Sequence, residues 1–221
     1  MQIKLVIFDV NETMFSLDEI EKRFEKNKLE KSLVNLWFYS VLKEGFSSSL
    51  SGKFIDFRTI SINELEKIFL QNSLNSSKKA ICRIINGFKC LKVHSDIRKS
   101  LEILKKKKIK VVTLTNGSQS NTRLLLKRNK INRLVGNCFS IEQVEKWKPH
   151  KKVYLNVCKS LKIPPKNSLM IAAHGWDING AKLAGLKTGY IKRYEKILSD
   201  FYLKPDLTGK DSFDIIQKIF K

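Results

Sequence analysis

Cysteine is scarce. Cys82, Cys90, Cys138 and Cys158 are the only four in 221 residues, and no two are spaced as C-x-x-C. That pattern matches no zinc or disulfide framework, and scattered thiols suit a reducing compartment. Long apolar runs are missing as well: no stretch of 18 apolar residues exists, so nothing reads as a membrane span. The first apolar run is too short for a secretory leader and leads straight into Asp9, so a cytoplasmic protein is expected. Repeats and low-complexity tracts are absent. Acidic residues number 21 against 43 basic ones, giving a formal charge of +22. So basic a chain invites a nucleic-acid reading. Arginine is sparse, however: eight arginines stand against 35 lysines, beside abundant Ile and Asn. That joint bias reads as compositional drift rather than a phosphate-binding face. The one long basic run, Lys105 to Lys108, ends an expected helix, where lysines complement the helix dipole and stay in solvent. No specific nucleic-acid partner and no membrane partner are expected.

What is present is organised around the first dozen residues. Lys4-Leu5-Val6-Ile7-Phe8 is a short apolar run that predicts a buried strand. It stops at the polar turn Asp9-Val10-Asn11-Glu12-Thr13. In a parallel α/β sheet, ligands sit outside the carboxyl ends of the strands, which makes Asp9 the first candidate for chemistry.

Residues 16–92 then read as nearly all helix. Ser16 with Glu19 forms a capping-box pattern, followed by helical stretches over 17–27 and 31–44. Gly45-Phe46 and the serines at 47–49 and 51 are expected to break the second helix. Ser61-Ile62-Asn63-Glu64 predicts a second capping box and a helix to about Gln71, and a further helix covers 76–89. Strand–helix alternation resumes after Lys92: helix to Lys107, strand 110–115, helix at Leu124 to Leu126, helix 150–161, strand 168–172, helix 178–184, strand 188–192 and a closing helix over 211–220. The expected fold is α/β, a three-layer doubly wound and mainly parallel sheet in a Rossmannoid core made of residues 1–15 and 93–221. Residues 16–92 are the inserted helical cap. The cap helices show more apolar surface than one small bundle needs, so a homodimer is expected.

Three strands end in polar turns: Asp9/Asn11/Thr13, Thr115/Asn116, and His174/Asp177. Parallel strands bring all three to one sheet edge. Lys148 precedes Pro149 at the start of a helix. Two carboxylates, one ammonium and several hydroxyl or amide donors suit a small anionic substrate and a carboxylate nucleophile.

Four segments in this order resemble the motifs of the haloacid dehalogenase superfamily: Phe8-Asp9-x-x-x-Thr13, Thr115-Asn116-Gly117-Ser118, Lys148-Pro149, and the Trp176-Asp177 turn. Lys148-Pro149-His150 with Val153-Tyr154, the run from Ala172 to Asp177, and Trp37-Phe38 with Gly45-Phe46 are similar to the L-2-haloacid (type II) branch. The resemblance covers nearly the whole chain and implies a HAD-like core with a helical cap. It implies that Asp9 displaces halide from a small (S)-2-haloacid and that water then hydrolyses the aspartyl ester to a 2-hydroxyacid. Lys148 would keep Asp9 ionised, Asp177 would activate the water, and Thr13 would support the nucleophile. Asn11, Phe38, Thr115, Asn116, Tyr154, His174 and Trp176 would line or grip the substrate.

This chain also departs from that branch. Phe38 follows Trp37 where the branch carries an Arg, and Ala172 and His174 stand where it carries Ser and Asn. Lys43, Lys53 or Arg58 could replace the missing guanidinium, and His174 the missing amide. A magnesium-dependent phosphatase of the same superfamily is the alternative enzyme. It would want an acid/base Asp at Asn11, and a second carboxylate at Ala173 to hold the metal. No metal and no cofactor are therefore expected. A non-catalytic basic protein that binds nucleic acid on the same fold is the third reading.

Overall fold

The structure is a computed structural model and describes residues 2–221. The first strand, β1 (Leu5–Phe8), is buried along its whole length. Four large apolar side chains in succession contribute roughly 1.5–3 kcal/mol each on burial, which explains why this run sits at the centre of a sheet. On one side β1 pairs with β2 (Lys110–Thr115), which pairs with β3 (Cys138–Ser140). On the other side it pairs with β4 (Ser168–Ala172), then β5 (Lys187–Ile191) and β6 (Leu207–Gly209). All pairings are parallel, in the order β3-β2-β1-β4-β5-β6. The order reverses direction at β1 and β4. That switch point opens a crevice at the carboxyl ends of the strands, where Asp9 follows β1.

Crossovers run in opposite directions from the centre. In the chain, α5 (Ser95–Lys106) leads into β2, α6 (Gln119–Arg128) links β2 to β3, α7 (Lys151–Leu161) links β3 back to β4, and α8 (Gly175–Leu183) links β4 to β5. The last helix, α9 (Ser212–Ile219), packs on α5. The expected α/β fold with a parallel sheet is what the chain adopts.

Four helices separate β1 from β2: α1 (Asp18–Lys26), α2 (Leu33–Leu50), α3 (Phe57–Gln71) and α4 (Lys78–Ile85). They pack on one another. The chain leaves and returns at adjacent points, where Phe15 bridges Val93 and the Ser16 amide donates to the Lys92 carbonyl at 2.9 Å.

Several local expectations fail for physical reasons. Gly45 does not break α2, which runs on through the serines to Leu50. A Cβ at Gly45 would overlap the Trp147 ring, so the glycine allows the helix to pass close over that ring. Ser61 does not start α3. The helix begins one turn earlier, where the Asp56 carboxylate accepts from the Thr59 amide at 3.0 Å, and Ser61 lies buried mid-helix with its hydroxyl unpartnered. The helix placed over 178–184 begins at Gly175, so Trp176 and Asp177 occupy its first turn. The three-residue strands β3 and β6 have no counterpart in the sequence pattern. Among the described residues no helix is long and apolar enough to cross a membrane.

Candidate active site

The polar turns predicted at the strand ends do converge. Asp9 leaves β1 with its amide bonded to the Ile171 carbonyl of β4 at 3.0 Å. Its side chain is buried, and both oxygens are engaged. Thr13 Oγ1 donates to Oδ2 at 2.6 Å and Lys148 Nζ donates to Oδ1 at 2.7 Å. Thr13 is fixed in turn, because its hydroxyl accepts from the Ala173 amide at 2.9 Å. The ammonium of Lys148 is fully buried and also donates to Asp177 Oδ2 at 2.6 Å and to the Leu114 carbonyl at 3.3 Å. Its three protons thus have three acceptors, which is what makes a buried ammonium tolerable. The backbone of Lys148 is anchored by Asn116, whose Oδ1 accepts from the Lys148 amide at 3.0 Å. Tyr154 on α7 donates its hydroxyl to Asp177 Oδ1 at 2.6 Å.

These contacts set the charges. Burial raises the pKa of Asp9, but the Lys148 charge outweighs it with help from His174, and the carboxyl ends well below the usual range. Asp177 moves the other way: burial, with the Asp9 charge added, wins over Lys148 and Tyr154 and raises it. Burial alone would lower Lys148, yet Asp177 and Asp9 together raise it. Burial and the Asp177 charge push the Tyr154 hydroxyl well above its ordinary value. The site therefore holds one firmly ionised carboxylate beside a second one with higher proton affinity. That split is suited to a nucleophile and a base.

The remaining predicted residues spread around this centre. His174 is buried and stacks on Trp176, with ring centroids 5.3 Å apart. Trp176 lies under the Lys148 ammonium at 5.6 Å and meets Phe46 of α2 edge-on. Phe38 is buried over His174, with centroids 6.4 Å apart. Its side chain carries no charge. Thr115 and Asn11 line a cavity of about 410 Å³ together with Ser118, Phe57, Phe88 and Arg58. The Thr115 hydroxyl accepts from the Gly117 amide at 2.9 Å. Of the three basic residues considered as replacements for the missing Arg, Arg58 lines this cavity.

One site residue escapes the sequence reading. Glu12 is buried, has a left-handed backbone with φ of 60°, and places Oε2 2.8 Å from His174 Nε2. A glutamate in a polar turn looks solvated, and the positive φ that turns it inward leaves no mark in composition or periodicity.

The arrangement does not fit a divalent cation. Lys148 occupies the position between Asp9 and Asp177, Ala173 has no ligand atom to offer, and among the described residues no cluster of three or more His, Cys, Asp or Glu is placed to hold a metal.

The profile of the haloacid dehalogenase-like hydrolase family matches residues 3–185. The (S)-2-haloacid dehalogenase 4A of Burkholderia cepacia is 24% identical over 193 residues, covering 86% of this chain and 84% of that protein. The L-2-haloacid dehalogenase RSc1362 superposes with a TM-score of 0.95 at 21% identity, over 100% of both chains. The Xanthobacter autotrophicus L-2-haloacid dehalogenase, solved with chloropropionic acid covalently bound, superposes with a TM-score of 0.92 at 18% identity, covering 99% of this chain and 98% of that one.

Proposed function

The chain belongs to the haloacid dehalogenase-like hydrolases, and from that premise we propose that it displaces halide from a small (S)-2-haloacid through an aspartyl ester on Asp9. The observation that carries this reading is the buried Lys148 ammonium, clamped between Asp9 at 2.7 Å and Asp177 at 2.6 Å. It keeps Asp9 ionised without a metal. The Asp9 carboxylate attacks the carbon bearing halogen, in line with the departing halide, so the carbon inverts. Attack passes the negative charge from Asp9 to the departing halide, and until then the dry site strengthens the attraction that keeps Asp9 ionised beside the ammonium. Asp177 then takes a proton from water, which adds to the ester carbonyl carbon and releases the 2-hydroxyacid. Thr13 and Tyr154 hold the two carboxylates. Asn11, Phe38, Thr115, Asn116, His174 and Trp176 shape the substrate space. The covalently bound acid in the Xanthobacter autotrophicus enzyme supports a covalent route.

Within this reading, residues 1–15 and 93–221 are the catalytic core and 16–92 the cap, with crossings near Phe15 and Val93 as hinges that let the cap exclude water. The enzyme works without cofactor, in the cytoplasm. Exposed Leu36 and Tyr39 on α2 and Leu70 on α3 suit a homodimer. A phosphatase of the same superfamily would need an acid/base Asp where Asn11 stands and a second carboxylate where Ala173 stands, and a nucleic-acid-binding protein has no use for a lysine buried between two carboxylates. In solution, (S)-2-chloropropionate should release chloride at an unchanged rate in excess chelator, while small phosphomonoesters release no phosphate. Phosphate release that magnesium restores, without chloride release, contradicts the reading.

A further inference from the structure

Beside the Asp9–Lys148–Asp177 cluster sits a second buried ion pair that the scheme above leaves without a task. His174 Nε2 lies 2.8 Å from Glu12 Oε2. The other ring nitrogen, Nδ1, lies 3.4 Å from Asp9 Oδ2, close enough for an ion pair but not for a well-formed hydrogen bond, and it has no other partner. The ring cannot swing away, because Trp176 stacks on one side and Phe38 closes over it. Glu12 is held just as firmly. Its amide donates to the Phe15 carbonyl at 2.8 Å, and its carbonyl faces His94 Nε2 at 3.2 Å. A left-handed backbone at a glutamate costs of order 1 kcal/mol or more, so the surrounding turn enforces this orientation.

Both ring nitrogens of His174 face carboxylates. A neutral imidazole would turn a lone pair toward one of them, whereas an imidazolium offers an N–H to each. Charge balance agrees. Asp9, Glu12 and Asp177 are three buried carboxylates, and Lys148 alone would leave two negative charges uncompensated. From the other elements packed nearby, Tyr39 of α2 and Glu195, which accepts from the Gly175 amide, face the pair, and His94 and Tyr194 lie behind Glu12.

We propose that Glu12 is a positioning residue that holds His174 as an imidazolium, so that Nδ1–H becomes a second cationic donor beside the Asp9 carboxyl. This rests on Asp9 being the nucleophile. When water adds to the Asp9 ester, the carbonyl π pair moves onto oxygen. With Oδ1 carrying the substrate, the oxyanion on Oδ2 finds an N–H of His174 and the Thr13 hydroxyl, while the Lys148 ammonium stays on Oδ1. Collapse reforms the carbonyl and breaks the acyl–oxygen bond, and the departing alkoxide takes the proton that Asp177 removed from water. His174 keeps its proton throughout. Burial lowers the pKa of His174, but the neighbouring Asp9 and Glu12 carboxylates outweigh it and bring it to about 10. Burial lowers His94 and His150 below the ordinary value, with positive neighbours adding to the effect.

Nitrogen-15 histidine spectra of the whole protein test this directly, since the chain has three histidines and His94→Gln and His150→Gln assign the other two. At about pH 8 His174 alone should show an imidazolium signal, and Glu12→Gln should lower its midpoint by about one pH unit or more. With (S)-2-chloropropionate, Glu12→Gln should cut kcat about tenfold, with little change in KM, and add an alkaline limb at the midpoint seen in the spectra. A neutral His174 in the wild-type protein at about pH 8 overturns the proposal; so does a midpoint that ignores Glu12→Gln, or a limb that does not coincide with it. If Glu12→Gln fails to fold, the wild-type signal decides alone. If no 2-haloacid is turned over, Asp9 loses its assigned reaction, while the spectra still decide whether Glu12 holds the charge on His174.

Discussion

Lys148 decides whether the two buried carboxylates that it bridges can coexist. Without it, Asp9 and Asp177 would confront one another in a dry site, and one of them would take up a proton. Lys148→Met, which keeps the volume of the side chain, should cut kcat for halide release by about a hundredfold or more. The pH profile gives the sign. Burial pushes the Asp9 pKa up, and Lys148 and His174 together outweigh it and hold the carboxyl well below the usual range, so losing the Lys148 charge raises its pKa. The acid limb of kcat/KM should therefore move to higher pH in the variant. A folded Lys148→Met protein with a near-normal rate and an unmoved limb would remove Lys148 from the mechanism.

At this scale the sequence exposes some residues and hides others. Asp9, Thr13 and Asp177 are legible because each stands in a polar turn at the end of a buried strand, and parallel strands bring such turns together. Lys148 is legible only through its proline and its spacing to Tyr154, since nothing else separates it from 34 other lysines. Glu12 is hidden, because its role depends on one backbone angle.

Among the elements, α2 best shows where local rules yield. Glycine and a row of serines predict a helix end after residue 44, yet the helix continues to Leu50 because its path is set by packing on Trp147. Trp147 is itself fixed, its indole N–H donating to the Ile55 carbonyl at 2.9 Å and its amide to Ser49 Oγ at 3.1 Å. Replacing a helical glycine by alanine normally stabilises by about 1 kcal/mol. At Gly45 the added methyl would strike the Trp147 ring, and overpacking of this kind costs about 1–3 kcal/mol. The clash should win, so Gly45→Ala should lower stability in a urea titration. A more stable variant would show that α2 is free to move off Trp147. The same contest of local and tertiary signals explains α3. A capping-box pattern at Ser61 reads well in isolation, but Asp56 caps the helix one turn earlier and leaves Ser61 inside it. The short strands β3 and β6 have too few residues for periodicity to register at all.

For the whole molecule, the fold was the most legible feature. Alternating buried runs and amphipathic segments specify a parallel sheet, and one long helical interval specifies the insertion between β1 and β2. The high net charge, by contrast, says little about function. Lysines dominate the surface, while the single buried one belongs to the site. What unites sheet, helical insertion and charge cluster is the claim that a carboxylate at the end of the central strand becomes covalently bonded to the substrate.

The most direct test follows one oxygen atom. If Asp9 is the nucleophile, its own oxygen becomes the product hydroxyl, and solvent oxygen is left in Asp9. If Asp9 were a general base, water would attack the substrate and the protein would never take up label. With enzyme in excess over (S)-2-chloropropionate in heavy-oxygen water, a single turnover should give unlabelled 2-hydroxyacid of inverted configuration, and the heavy oxygen should appear in the peptide carrying Asp9. Labelled product from that first turnover, with an unlabelled Asp9 peptide, would contradict covalent catalysis in this protein.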